Sequence, residues 1–238
     1  MTEALYLKDS YLNKWDAKVV EVKDGKFIVL DQTAFYPSSG GQPHDTGTIV
    51  AKSSGEKFNV IFVGKFDGVI SHEVDKAGLE IGDKVSCEID WKRRYALMKA
   101  HTSMHLFTEV IFRESRALVT GNQLDVDKCR VDLNLERYDL EEIKSWVEKT
   151  NEVMSKDLKV SVKFLPREEA MKIPQLSKLA TNNFLKNLSE VRIVNIGEFD
   201  VQADGGTHVK STEEIGKMEF IRCDNKGKNN RRIYYRII

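Results

Sequence analysis

Between Trp91 and Arg116 the chain carries neither glycine nor proline, and its apolar residues Leu97, Met104, Phe107 and Ile111 recur at helical spacing. The spacing predicts one long helix. Everything before it has a different texture. In VVEVKDGKFIVL two β-rich runs flank the turn pair Asp24-Gly25, a hairpin signal. The segment GTIVAKSSGEKFNVIFVGKFDGVISHEV adds short strands punctuated by Ser54-Gly55, Gly64 and Asp67-Gly68. Short strands at this spacing predict a small β-barrel or curled sheet.

After the long helix, Asp139 to Lys156 reads as a second one. Asp139 stands at the N-cap and Glu142 three residues later, in a capping-box pattern. VSVKFLP reads as a strand closed by Pro166, and REEAMKI opens a short helix. VRIVNIGEFDVQ, KMEFIRC and RRIYYRII supply strands toward the end. The expected fold class is α+β: a small β-barrel domain over 1–91, then an α+β domain with a metal site over 92–238. At 238 residues and 41% apolar content, the chain is long enough for two such cores.

Composition removes several classes of function. With 37 basic and 37 acidic residues the chain does not bind nucleic acid by bulk charge, although a local basic patch is compatible with that balance. Cys87, Cys129 and Cys223 are odd in number and far apart, so a disulfide framework is not expected. No apolar run approaches the roughly 20 residues of a membrane span, and MTEALYLKDSY has no signal-peptide core. The expected location is the cytoplasm.

The histidines carry the chemistry. His101 and His105, in HTSMH, lie four apart within the long helix and therefore share a face, as a common metal ion requires. Thr102 stands where the metalloprotease glutamate of HExxH would be, which disfavours peptidase chemistry. Asp204 and His208, in ADGGTH, are also four apart, but across a Gly205-Gly206 turn that can aim both side chains at one point. Two such pairs supply four tetrahedral donors. His44 and His72 stand alone and receive no metal role.

HTSMH, DGGTH and KGKNNRRI, together with DQTAFYPSSGGQPHDTG near the start, closely resemble the editing domain of alanyl-tRNA synthetases and the free-standing AlaX proteins, in the same order and over nearly the whole chain. The resemblance implies a medium-length, free-standing enzyme that hydrolyses mischarged tRNA(Ala), with one zinc ion per chain. In that family the late motif is Cys-Gly-Gly-Thr-His, whose Cys and His are zinc ligands. Here the Cys position is Asp204. Three readings stand open: Asp204 ligates directly, it supports a site whose fourth position holds water, or the site binds metal weakly or not at all. A carboxylate keeps the negative charge of the thiolate but is a harder donor.

The resemblance also implies roles elsewhere. Thr33 occupies the position used beside the seryl group of the substrate, where a hydroxyl rewards serine over alanine. Gly40, Gly41 and Gln42 belong to the same glycine-rich loop and are the other expected substrate-binding residues. From the geometry of the turn alone, and not from the resemblance, the Gly205 and Gly206 backbone amides are candidate donors to a developing oxyanion, and Thr207 completes the expected catalytic group. Lys226, Lys228, Arg231 and Arg232 are the expected phosphate contacts to the tRNA acceptor end; Lys92, Arg93 and Arg94 are a second basic cluster. The partner is tRNA(Ala) carrying serine or glycine. The rival from another class is a non-catalytic RNA-binding module with a structural metal, although structural zinc sites usually carry thiolates. A small-molecule esterase, or D-aminoacyl or threonyl editing, are the enzymatic alternatives.

Overall fold

Alternation of apolar and polar residues builds the first unit, residues 1–97. The computed structural model describes residues 2–173, 176 and 188–238. In this unit the strands are β1 (Glu3–Ala4), β2 (Lys14–Lys23), β3 (Phe27–Leu30), β4 (Gln32–Thr33), β5 (Gly47–Ala51), β6 (Lys57–Phe66), β7 (Val69–Val74) and β8 (Lys84–Ile89). Six of them close into a barrel in the order β2-β3-β7-β6-β5-β8, while β1 and β4 pair in parallel. Every second residue points inward: Trp15, Ala17 and Val19 on β2, and Val85, Cys87 and Ile89 on β8, are buried. Closure leaves these six strands without a free edge. Gly47 is required where β5 meets β8, because a Cβ there would lie 2.1 Å from the Glu88 carbonyl oxygen. The expected hairpin turn sits between β2 and β3, with Asp24 and Gly25 both at positive φ.

Helix α1 (Trp91–Ser115) begins in the first unit and ends in the second, residues 98–238. The expected domain boundary at residue 91 lies at its first residue, whereas the two compact units divide within the helix, between residues 97 and 98. Arg94, in its first turn, is fully buried and donates to both carboxylate oxygens of Asp45 and to the carbonyls of Ser10 and Ala34. Its charge is therefore committed inside the barrel unit, not offered to a nucleic acid. From Ala100 to Ile111 every residue of α1 is buried, so this stretch of the helix is a core element on all sides.

The second unit continues with β9 (Val119–Gln123), β10 (Cys129–Leu133), α2 (Leu140–Met154), β11 (Val160–Pro166), α3 (Arg167–Ala170), β12 (Glu190–Ile196), β13 (Asp200–Ala203), β14 (Met218–Gly227) and β15 (Asn230–Ile237). These strands form two antiparallel sheets, β14-β15-β10-β9 and β11-β12-β13. The Asp139 carboxylate caps α2, accepting the Glu141 amide at 2.8 Å. Asn151 of α2 brackets Met218, donating to its carbonyl and accepting its amide. Strands β9 and β10 are absent from the sequence reading. Val119–Gln123 has no clean alternation, and in β10 the charges of Arg130 and Asp132 are paired with each other rather than turned to solvent.

Candidate metal centre

Helical spacing sets the first half of the centre. His101 and His105 project from one side of α1 with ring centroids 5.0 Å apart, and both are buried. The second half follows β13. Asp204 leaves the strand, and its Oδ2 accepts the Gly206 amide at 2.7 Å, a turn that side chain and backbone close together. That turn brings His208 back, so that its Nε2 lies 2.9 Å from the same oxygen. The donor atoms of His101, His105, Asp204 and His208 all lie within 4.8 Å of one another.

Neighbouring groups orient these rings. His105 Nδ1 donates to Asp200 Oδ2 at 3.2 Å, which leaves its Nε2 lone pair for the centre. Thr102 directs its hydroxyl proton to the Met98 carbonyl at 3.0 Å, so its oxygen receives the Nδ1–H of His208 at 3.1 Å. With the tautomer assigned this way, the Nε2 lone pair of His208 faces the Asp204 carboxylate. Two acceptors at 2.9 Å repel unless a cation lies between them. Three imidazoles and one carboxylate form a borderline donor set that suits zinc, so the residues present fit the metal. Among the described residues, no cysteine joins the group.

Protonation states agree with that reading. Burial holds His101 well below the ordinary imidazole range and brings His208 down to about 4. Burial acts on His105 in the same direction, but the Asp200 hydrogen bond and the nearby carboxylates outweigh it and raise its pKa. Burial also opposes ionisation of Asp204, yet its carboxyl is held well below the usual range, with the His101 ring beside it the largest cause of that lowering. Burial thus favours the neutral, metal-ready form of His101 and His208.

The structure brings the four expected ligands together. Gly205 faces open space where a Cβ would be, whereas the Gly206 amide is committed to Asp204 and Thr207 is fully buried. Of the expected phosphate contacts, Lys226 and Lys228 are exposed. Arg231 is buried and bonded to Asn225 and to the carbonyls of Gly227, Asn230 and Glu136, and Arg232 holds both oxygens of Asp132. In the first unit Thr33 is buried, its hydroxyl 2.9 Å from His72 Nε2. Gly40 and Gly41, both at positive φ, form the tight turn between the bridged residues Ser39 and Gln42, and Gln42 is buried. Sequence reasoning missed the orienting pair Asp200 and Thr102. Thr102 lies inside HTSMH, and Asp200 precedes Asp204 by an even number of residues on a strand, so a period of two places both aspartates on one face.

Comparison with known proteins adds a second line of observation. Residues 6–93 match the family model of class II (A) tRNA synthetases, and residues 191–234 match that of the threonyl and alanyl tRNA synthetase second additional domain. The alanyl-tRNA editing protein AlaX-M of Methanosarcina barkeri is 46% identical over the full length of both chains. Its namesake from Saccharolobus solfataricus is 41% identical over all of this chain and 99% of its own. The chain belongs to the AlaX-M family of alanyl-tRNA editing proteins. The alanine–tRNA ligase of Pyrobaculum calidifontis is 39% identical over 94% of this chain, which spans 25% of that longer protein. Both AlaX-M relatives match over the full length of this chain, and so across both of its units.

Proposed function

We propose that this AlaX-M family member is a trans-editing hydrolase that cleaves the ester joining serine, or glycine, to the 3′ end of tRNA(Ala). The observation that carries the proposal is the four-donor centre on α1 and the β13 turn, in a chain alike over its full length to proteins named for alanyl-tRNA editing. When bound, a zinc ion supplies a Lewis acid that activates water or anchors the polar groups of the substrate. His101, His105, Asp204 and His208 hold it; Asp200 and Thr102 keep the His105 and His208 rings turned inward. Gly205, beside open space, is where a substrate carbonyl can approach the backbone, and its lack of a side chain keeps that approach clear. Lys226 and Lys228 are the phosphate contacts of this reading.

The test is deacylation of Ser-tRNA(Ala), Gly-tRNA(Ala) and Ala-tRNA(Ala), with metal content measured in parallel on wild type and Asp204→Ala. Seryl ester should be released and alanyl ester spared, and Asp204→Ala should lose zinc and activity together. A zinc-loaded protein that leaves all three esters intact overturns the reading. Full zinc retention in an inactive Asp204→Ala protein removes Asp204 from the ligand set.

A further inference from the structure

The sheet carrying Asp204 also carries an exposed aromatic in the same row. Across β11 and β12, Phe164 pairs with Arg192. Across β12 and β13, Ile193 pairs with Ala203, and the Asp204 amide extends that register by donating to the Arg192 carbonyl at 3.1 Å. Paired residues share a face. Phe164, Arg192 and Asp204 therefore project from the same side of the sheet, and the Arg192 guanidinium lies 3.8 Å from Asp204 Oδ2. The next row on this face is Val162, Val194 and Gln202. Its apolar members grade from buried Val194 to exposed Val162, just as the first row grades from buried Arg192 to Phe164, 39% exposed. The opposite face is occupied, since Leu165, Val191, Ile193 and Ala203 join a hydrophobic core.

This open phenyl ring beside a valine lies two strand spacings from Asp204 of the four-donor centre. The separation is on the order of 10 Å. In an aminoacyl-tRNA one ribose separates the ester from the adenine, a distance of the same order. Sequence-tolerant recognition of an unpaired base takes a flat aromatic face with apolar support. Resting on the function proposed above, we propose that Phe164 is the platform on which the terminal adenine of the charged tRNA stacks while its ester lies at the metal centre.

Binding of uncharged tRNA(Ala), ending either in CCA or with its last adenosine removed, tests this without hydrolysis. Loss of the adenosine should weaken binding to wild type by roughly 10-fold, the scale of one base stacked on one ring. Phe164→Ala should bind the complete tRNA about as weakly as wild type binds the shortened one, with little further loss when the adenosine is removed. Phe164→Trp should restore the affinity and show fluorescence quenched by the complete tRNA only, while Phe164→Leu, of similar apolar bulk, should not. In deacylation, Phe164→Ala should raise KM and leave kcat nearly unchanged. Equal loss for both RNAs, or none for either, overturns the stacking assignment and leaves the hydrolysis reading intact. Adenosine-dependent binding by a wild type that hydrolyses no ester supports the platform while the proposed function falls.

Discussion

His72 occupies an inward position of β7, with no exposed surface, and its hydrogen bonds fix a single tautomer. Nδ1–H donates to the Ile28 carbonyl at 2.9 Å, so Nε2 accepts the hydroxyl proton of Thr33, whose oxygen in turn receives the Phe35 amide. Burial lowers the His72 pKa to about 4. The unfolded chain takes up this proton near pH 6.5 and the folded chain only near 4. The ring's stabilising contribution is thus complete above pH 6.5 and is lost as pH falls toward 4, by on the order of 3 kcal/mol. Urea titrations from pH 7 to 4 should show His72→Gln losing less stability on acidification than wild type; parallel losses would place the titration elsewhere. The network also explains why Thr33 was only half legible. A TAFYPSSGG segment marks a loop, but no local pattern reveals that the threonine hydroxyl finds a histidine 39 positions away. The four-donor group was legible because four-residue spacing is itself a geometric statement.

The β14–β15 hairpin shows how one element divides a run of like charges. Its turn exposes Lys226 and Lys228, while pairing turns Arg231 inward and sets Arg232 opposite Asp224 and beside Asp132. Lys226→Ala with Lys228→Ala should leave thermal stability within about 0.5 kcal/mol and lower the salt slope of tRNA binding. Arg231→Ala should do the reverse, costing about 1–3 kcal/mol by leaving buried carbonyls unpaired. Thermal melts and binding isotherms at several salt concentrations separate the two; an unchanged slope in the double lysine variant makes the turn a solvated surface. Elements with strong periodicity were readable: α1 runs Trp91–Ser115 and α2 starts beside its Asp139 cap. Strands β9 and β10 were not, because ladder pairing and the Asp132 ion pairs, both long-range, hold them. Charge runs mislead for the same reason, since sequence order does not say which cation meets a carboxylate.

Across the whole molecule, each unit has its own hydrophobic core, and the three thiols are spread between them: Cys87 in the barrel, Cys129 on β10 and Cys223 on β14. All three are free, and burial raises their pKa values, Cys129 and Cys223 to about 11 and Cys87 higher still. At neutral pH very little thiolate exists anywhere in the protein, and thiolate is the species that peroxide and alkylating agents attack. A metal centre with a cysteine ligand is open to oxidative loss of its ion, whereas a carboxylate in that place has no oxidation ladder to climb. Millimolar peroxide or iodoacetamide should therefore leave the metal content of the wild-type protein unchanged. The Asp204→Cys variant should release its ion in step with oxidation of the new sulfur, and a wild type that releases metal equally fast would show that the carboxylate confers no protection. With the ligand set proposed above, Asp204 would make this centre redox-silent, fit to keep a metal under conditions that strip a thiolate site.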